Sequence, residues 1–508
     1  MRVLSAALAG AAVLAASGAA AAAAAAVARS PAAVVGSGCA ALAVPRSHPA
    51  IASLDPRPSA PRIFAMQYEQ DAGNVVSYAS FRRKIECMLR AYVIPHLARG
   101  RPNVVVFNED IGLATLGIGS RGAVARGVFA HGGAPSCTGR CGSLGALSAL
   151  TSAYAGPLHA YQRRFGGLSG LREGFVAATD TVVRGFMGTF ASIAKRYGLY
   201  MIASADVPPF EQSSHAADVA AFADPDLHPR PASVYVATAP NVYNQVFMWG
   251  PHDVRGRGPD VLRNVVASNR KVPLTSLEVA LGLSPGPARG PAAVANLRPY
   301  ALPGTRARIG FATSLPAFTW GSPAPGVNPC SDTALYYMRC LSRLGANLVI
   351  QDEANPGRWT GPDGNGIEQW QPLSWMGSTY RTVSDPSVGF DYNVTAMMVG
   401  NLADLTFDGQ SAITQRGLSG RGCHYIGNGA FVPGEDQPVF RRYAGRQPEF
   451  LAIAPWVVGD RSRAALRHVG AELAPGSGSP LEDHYLETAL IADLPIPVDH
   501  SRADCAGA

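Results

Sequence analysis

Apolar residues run together in short blocks along most of the chain, and stretches with helical spacing separate several of these blocks. Helical spacing predicts helices over 75–97, 171–197 and 332–344, the second ended by Gly198. Because helices alternate with apolar blocks, the pattern predicts an α/β fold whose sheet is covered on both faces. Buried strands are predicted at 62–67, 104–107, 199–204, 233–236, 245–249, 308–313, 347–350, 395–400 and 488–494.

The two ends of the chain carry patterns of a different kind. Met1-Arg2 and the apolar run to about Val27 have the basic head and apolar middle of a secretory signal peptide, which we assign to 1–28. An uncleaved amino-terminal membrane anchor is the alternative, because the run is nearly long enough to span a bilayer. A Pro/Ala-rich linker follows at 29–60, the main domain covers 61–500, and 501–508 form a tail. We therefore expect a secreted or cell-envelope protein, with any membrane tether at the amino terminus.

Cysteines and glycines refine the outline of the main domain. Eight cysteines in an exported chain predict disulfides, and the close pairs Cys137/Cys141 and Cys330/Cys340 are the first candidates. A Gly/Ala/Ser-rich stretch at about 111–170 is too long for a simple loop and predicts an insertion. Residues 117–122 fit the pattern GxGxxG, but no apolar block runs into them and no long helix is predicted after them, which argues against a dinucleotide site.

The charge pattern excludes some classes of partner. The chain carries a net charge of +7, yet only Lys84, Lys195 and Lys271 are lysines and the arginines are scattered rather than grouped. Binding to a nucleic acid needs clustered positive charge, so we predict no nucleic-acid partner. The histidines and cysteines do not fall at the spacings of a metal site, so we predict neither a metal nor another cofactor.

Two local signals point to chemistry. Lys271 stands beside Arg270 in a chain that otherwise writes nearly every cation as arginine, which suggests that a compact ammonium group is needed there. Glu109 directly follows a predicted strand, and α/β sheets keep their sites at the carboxyl ends of strands. Taken alone, the first could be a surface lysine and the second a loop charge.

Together these segments resemble the nitrilase, or carbon-nitrogen hydrolase, superfamily. Phe107-Asn108-Glu109 resembles that family's strand followed by Phe-Pro-Glu. Residues 270–275, Arg-Lys-Val-Pro-Leu-Thr, resemble its Arg-Lys-x-His-Leu-Thr segment, and Glu278 stands where the family has a trailing Glu. Weaker matches follow in family order at 65–67, 194–200, 243–244, 339–350, 408–413 and 487–490.

The resemblance implies a four-layer α-β-β-α sandwich that hydrolyses amides or nitriles of small molecules, the amide being our preferred substrate. Carried over to this chain, Glu109 is the general base, Lys271 stabilises the developing charge and Glu278 is the supporting carboxylate. Such a set works because the base deprotonates a nucleophile and the ammonium stabilises the oxyanion. Family members often associate through outer helices, which implies a homo-oligomer.

The chain departs from the family at the nucleophile. The family's strand ends in Gly-x-x-x-Cys, whereas here Ser314 stands four residues after Gly310. A serine hydroxyl is far less ionised than a thiol, so the exchange costs rate unless other groups compensate. Three alternatives stay open: Ser314 acts as the nucleophile, Cys330 acts instead after a short insertion, or the site is inactive and the protein is a binding or envelope protein.

Overall fold

A computed structural model describes Cys39 and residues 49–52, 54–131, 142–358, 375–418, 450–455 and 469–499. The chain divides into two compact units, Met1–Ala41 and Leu42–Ala508, and all elements given below belong to the second. The predicted signal peptide, the tail and the pair Cys137/Cys141 lie outside the described residues. Within the described ranges, no helix is both long and apolar enough to cross a bilayer.

Strands and helices alternate through the described residues. The strands are β1 (Ala50–Ile51), β2 (Arg62–Glu69), β3 (Asn103–Val106), β4 (Tyr200–Val207), β5 (Phe210–Ser213), β6 (Val234–Ala237), β7 (Tyr243–Trp249), β8 (Val265–Arg270), β9 (Tyr300–Ala301), β10 (Arg308–Phe311), β11 (Leu348–Glu353), β12 (Tyr392–Leu402), β13 (Leu405–Phe407), β14 (Ala412–Gln415), β15 (Phe450–Ile453) and β16 (Thr488–Asp493). The helices are α1 (Tyr78–Met88), α2 (Gly119–His131), α3 (Gly142–Ala153), α4 (Ala155–Phe165), α5 (Arg172–Ala177), α6 (Thr179–Val182), α7 (Gly188–Tyr197), α8 (Ala216–Phe222), α9 (Ser276–Ala280), α10 (Gly290–Asn296), α11 (Thr333–Arg343) and α12 (Met376–Ser384).

Most strands belong to one large mixed sheet. Its main path runs β8-β7-β4-β3-β2-β12-β11-β10-β9, while β5 and β6 form a separate hairpin. Two groups of parallel strands, β2 to β4 and β10 to β12, meet where the end of β12 pairs with the end of β2, Met398 opposite Tyr68. The carboxyl ends of both groups therefore lie at the junction, where α/β sheets keep their sites.

Alternate side chains of the two strand groups enter different cores. One face of each group contributes to a single shared core, with Ile63 and Val104 from the first group and Ile350 and Val394 from the second. The opposite faces pack on helices: the first group on the side of α1 and α7, the second on α11. Strands buried on both faces are continuously apolar, which is why these blocks were visible in the sequence.

The structure confirms the α/β class, with differences in detail. Each predicted strand is present, although 233–236 forms part of the separate hairpin instead of the large sheet. The predicted helix over 171–197 is divided into α5, α6, a π-helical segment and α7, and ends at Gly198 in the left-handed conformation. The insertion contains α2, α3 and α4, and α2 begins at Gly119 of the GxGxxG stretch, so the expectation of no long helix there was wrong. A 3₁₀ turn, not a strand, precedes it.

Candidate active site

Two parts of the chain that are 162 residues apart bring Glu109 into contact with Lys271 and its neighbour Glu278. Glu109 follows β3, Lys271 follows β8, and Glu278 lies in the first turn of α9. Lys271 Nζ donates to Glu109 Oε1 at 2.7 Å and forms an ion pair with Glu278 Oε1 at 3.0 Å. Thr275 caps α9 and its hydroxyl and backbone N–H donate to Glu278 Oε2, which fixes that carboxylate.

Asn244 and Ala354 hold the two carboxylates in place. The Nδ2 of Asn244, at the start of β7, donates to Glu109 Oε1 at 2.7 Å and to Glu278 Oε1 at 2.9 Å. The backbone N–H of Ala354, just after β11, donates to Glu109 Oε2 at 3.0 Å. Glu109 is thereby oriented from β7 on one side and from the end of β11 on the other, which is the kind of preorganisation that catalysis needs.

Burial and charge set the ionisation of this cluster. Burial raises the pKa of Glu109 to about 7, with Lys271 acting against the rise and Glu278 adding to it. Burial works to lower the pKa of Lys271, but the charges of Glu109 and Glu278 outweigh it and the net pKa is raised, so the ammonium is retained. For Glu278, burial is outweighed by Lys271 and by the backbone N–H of Thr275, and the net pKa is lowered. The site therefore holds a fixed ion pair and a carboxyl that ionises near neutrality.

Ser314 lies just beyond β10 in a strained backbone conformation. Its φ of 54° and ψ of −117° lie in a region that non-glycine residues rarely adopt, and it opens the short 3₁₀ turn Leu315–Phe318. Its N–H donates to the carbonyl of Asp352 and its Oγ donates to Asn355 Oδ1 at 3.1 Å. Strain of this kind is concentrated at functional sites, where neighbouring contacts hold the residue in place.

Cys330 is joined to Cys340 by a disulfide, one of the two pairs that the sequence favoured. All cysteines of the described ranges are disulfide-bonded. A bonded sulfur has no thiol to ionise, so the structure speaks against Cys330 as the alternative nucleophile, and Ser314 alone is retained as the candidate.

One cavity of about 610 Å³ brings the predicted residues together. Glu109, Lys271, Glu278 and Ser314 all line it, although they come from three separate segments of the chain. The acid and the ammonium that the sequence singled out thus meet at one pocket, beside Ser314.

Further carboxyl groups surround the cluster and were assigned no role from the sequence. Asp110 and Asp206 line the cavity, and Asp352 and Glu353 end β11. Burial is the main cause that raises the pKa of each, to about 6 for Asp352 and well above the ordinary range for the other three. Glu109 was singled out because α/β sheets keep their sites at the carboxyl ends of strands. Asp206 and Asp352 also stand at carboxyl ends of strands, so the same reasoning could have found them. Among the described residues, no group of His, Cys, Asp or Glu is arranged to hold a metal ion.

Comparison with known proteins gives structural matches only. No family model and no curated protein matches the chain. The amidase from Nesterenkonia sp. AN1 with acrylamide added at its active-site cysteine matches at 13% identity over 70% of this chain and 85% of that one, with a TM-score of 0.33. A cysteine-to-serine variant of that amidase, described as a member of the nitrilase superfamily, matches at 14% identity over 70% and 85%, with a TM-score of 0.34. The amidase in complex with butyramide matches at 14% identity over 72% and 86%, with a TM-score of 0.35. Overlap at these scores is too low to assign an activity.

Proposed function

We propose that this chain is an exported carbon-nitrogen hydrolase of the nitrilase type, which cleaves an amide of a small molecule with Ser314 as the nucleophile. The observation that carries the proposal is the convergence of Glu109, Lys271 and Ser314 on one cavity. An acid of pKa about 7, a retained ammonium and a strained serine form the combination that acyl transfer requires.

The reaction proceeds through an acyl-enzyme. Glu109 accepts the hydroxyl proton of Ser314 while Oγ attacks the amide carbonyl carbon, and Lys271 stabilises the oxyanion that forms. Glu109 then returns the proton to the leaving nitrogen as the C–N bond breaks. Water, deprotonated by Glu109, attacks the ester, and the proton passes to Ser314 Oγ as the acid product leaves. Glu278 and Asn244 position Lys271 and Glu109 throughout.

Two features of the site compensate for the weaker nucleophile. A carboxylate whose pKa is about 7 is a stronger base than an ordinary glutamate, which favours proton removal from a hydroxyl group. The backbone N–H of Ser314 is held by the carbonyl of Asp352 and its Oγ by Asn355, which restricts the position of the nucleophile, and the hydroxyl proton turns from Asn355 to Glu109 before attack.

Two wider aspects of the proposal rest on the fold and the cysteines. The shared core between the strand groups, with helices on both outer faces, supports a four-layer α-β-β-α sandwich. The disulfide between Cys330 and Cys340 agrees with passage through an oxidising compartment and with the proposed signal at 1–28. Mass spectrometry of the exported protein tests whether the signal peptide at 1–28 is removed.

The first experiment measures amine or ammonia release from a panel of primary and secondary amides. Glu109→Gln and Ser314→Ala are expected to lower kcat/KM at least a thousandfold, and Lys271→Ala by a hundredfold or more, since each removes a group that acts in the transition state. Ser268→Ala, at an exposed position of β8, is the matched control. Turnover that survives Glu109→Gln and Lys271→Ala would remove the mechanism.

Ser314→Cys provides a second, opposite readout. A thiol in this position ionises more readily, so turnover is expected to rise and to become sensitive to iodoacetamide, whereas the parent enzyme resists the reagent at this site. If the cysteine variant neither turns over amides nor is alkylated at residue 314, the nucleophile assignment is lost and a non-catalytic binding protein is favoured.

A further inference from the structure

Apolar side chains dominate the wall of the cavity that holds the catalytic groups. Leucine alone occupies eleven positions, and Phe318, Met398 and Phe407 add to them. A leucine-lined space of about 610 Å³ beside buried charged groups suits a ligand with a large apolar part and one polar group. The volume falls within the range of about 300–1,000 Å³ that accommodates small-molecule ligands.

Helix α3 of the insertion supplies a continuous apolar lane into this space. Leu144, Leu147 and Leu150 are spaced three residues apart, which places them on one side of the helix, and all three line the cavity. Their exposed fractions fall in order, from 52% to 8% to 1%. The lane therefore runs from the surface to the interior, where Glu109 and Lys271 lie buried.

A second apolar segment reaches the surface from the catalytic side. Leu277, on α9 beside Glu278, lines the cavity and is 41% exposed. Exposed leucines at a cavity mouth are unfavourable in water unless a ligand covers them. Leu315, directly after Ser314, continues the apolar wall at the nucleophile itself.

We propose that the cavity takes an aliphatic acyl chain, so that the substrate is a long-chain N-acyl amide with its carbonyl at Ser314 and its chain along the leucines of α3. This deepens the proposed function and rests on it for the cleaved bond. The acyl chain is chosen over an alkyl amine because the acyl group stays bonded to Ser314 Oγ after the amine leaves, beside Leu315 and Phe318. The leucines of the insertion then determine the chain length that is accepted.

The test is a series of 4-nitroanilides from acetyl to dodecanoyl, assayed by release of 4-nitroaniline. Each methylene that enters the cavity is expected to raise kcat/KM about fourfold, until the chain reaches the mouth. A parallel series of N-alkyl acetamides separates the two sides of the amide. A rise confined to the alkyl series would overturn the acyl assignment.

Variants at the exposed leucines locate the effect without disturbing the core. Leu144→Asp and Leu277→Asn, the second kept uncharged because it lies next to Glu278, are expected to lower kcat/KM about tenfold for dodecanoyl anilide and to leave the acetyl compound unchanged. Leu335→Asp, at a leucine of α11 that is 54% exposed and does not line the cavity, is the matched control. Equal losses on both substrates, or an effect of Leu335→Asp as large as the other two, would contradict the proposal.

A binding assay keeps the two proposals apart. Dansyl-undecanoic acid is titrated into the Ser314→Ala protein and displaced with dodecanoic acid. Adding Leu144→Asp to that protein is expected to weaken the binding of both fatty acids. Amide turnover that depends on Ser314 but shows no chain-length preference would contradict the proposed acyl-chain site and would leave the proposed hydrolase activity supported. Chain binding without turnover of any amide would remove the hydrolase and retain the assignment of the cavity.

Discussion

Glu109 has an unusual electrostatic setting for a carboxyl group. Lys271 is its one cationic contact among the described residues, while Glu278 and Asp352 add negative charge nearby. Burial and these like charges together outweigh the ammonium, which is why the pKa of Glu109 lies at about 7 instead of at or below its ordinary value. A carboxyl group in contact with a lysine thus becomes able to exchange a proton near neutral pH.

The pH profile of amide turnover should report this ionisation. Glu109 must be deprotonated to act as a base, so kcat/KM is expected to rise with pH through a midpoint near 7 and to fall about tenfold per unit below it. The raised pKa of Lys271 adds no loss of activity between pH 7 and 9. Initial rates between pH 5 and 9 in buffers of constant ionic strength measure this rise of kcat/KM with pH and its midpoint.

Glu278→Gln supplies the directional control for that profile. The negative charge of Glu278 raises the pKa of Glu109. Removing this charge is therefore expected to move the midpoint of the pH profile to lower pH, even as the rate falls because Lys271 is held less firmly. A midpoint that does not move would mean that a group other than Glu109 controls the pH dependence of kcat/KM.

At the scale of single elements, α11 is tied at its start by the disulfide. Cys330 precedes the helix and Cys340 lies within it, ten residues further on. We expect the double variant Cys330→Ser, Cys340→Ser to lower the free energy of unfolding by about 2–3 kcal/mol, because a closed loop restricts the unfolded chain. Chemical denaturation with and without reductant measures the loss.

Activity separates a structural disulfide from a catalytic cysteine. At temperatures where the double variant is folded, amide turnover is expected to stay within about twofold of the parent, because residues 330 and 340 lie on α11 and its approach and not in the Glu109 cluster. Loss of turnover with the fold intact would return Cys330 to consideration as a nucleophile.

The sequence predicted the strands better than it predicted the site. The apolar run 348–350 of β11 is visible because both faces of the strand are buried, whereas the polar end of the same strand, 351–353, was not predicted. Glu109 and Lys271 were found because one follows a strand and the other breaks the arginine bias. Asn244 was missed, since its two contacts join residues 135 and 34 positions away and no local pattern records them.

The scarcity of lysine was informative beyond the active site. Lys84 is fully buried and paired with Glu487, which ties α1 to the last strand, while Lys195 is half exposed and pairs with Asp253. Two of the three lysines thus occupy buried positions where a compact ammonium group meets a carboxylate. The sequence pointed to a catalytic role for Lys271 alone, because only that lysine stands in the segment 270–275 that resembles Arg-Lys-x-His-Leu-Thr.

For the molecule as a whole, the junction of the two strand groups concentrates acidic side chains in the interior. Glu69 at the end of β2, Asp206 near the end of β4 and Glu353 at the end of β11 all have raised pKa values, with burial as the main cause. A group whose pKa is higher in the folded state stabilises the fold at low pH and loses that contribution as pH rises through the folded pKa. The protein should therefore gain stability on mild acidification.

Asp206→Asn tests this at one position. Its carboxyl is buried, and Oδ1 has no hydrogen-bond partner, so a neutral amide of the same shape removes the cost of ionisation. The variant is expected to be more stable than the parent at pH 8, by about 1.4 kcal/mol for each unit by which folding raises the pKa, and the difference should shrink towards pH 4. Thermal unfolding at pH 4.5, 6 and 8 gives the comparison, with Asp253→Asn at the exposed pair with Lys195 as the control. A stability difference that is the same at all three pH values would mean that the pKa of Asp206 is the same in the folded and the unfolded chain. The proposed gain of stability on mild acidification would then have no support from this position.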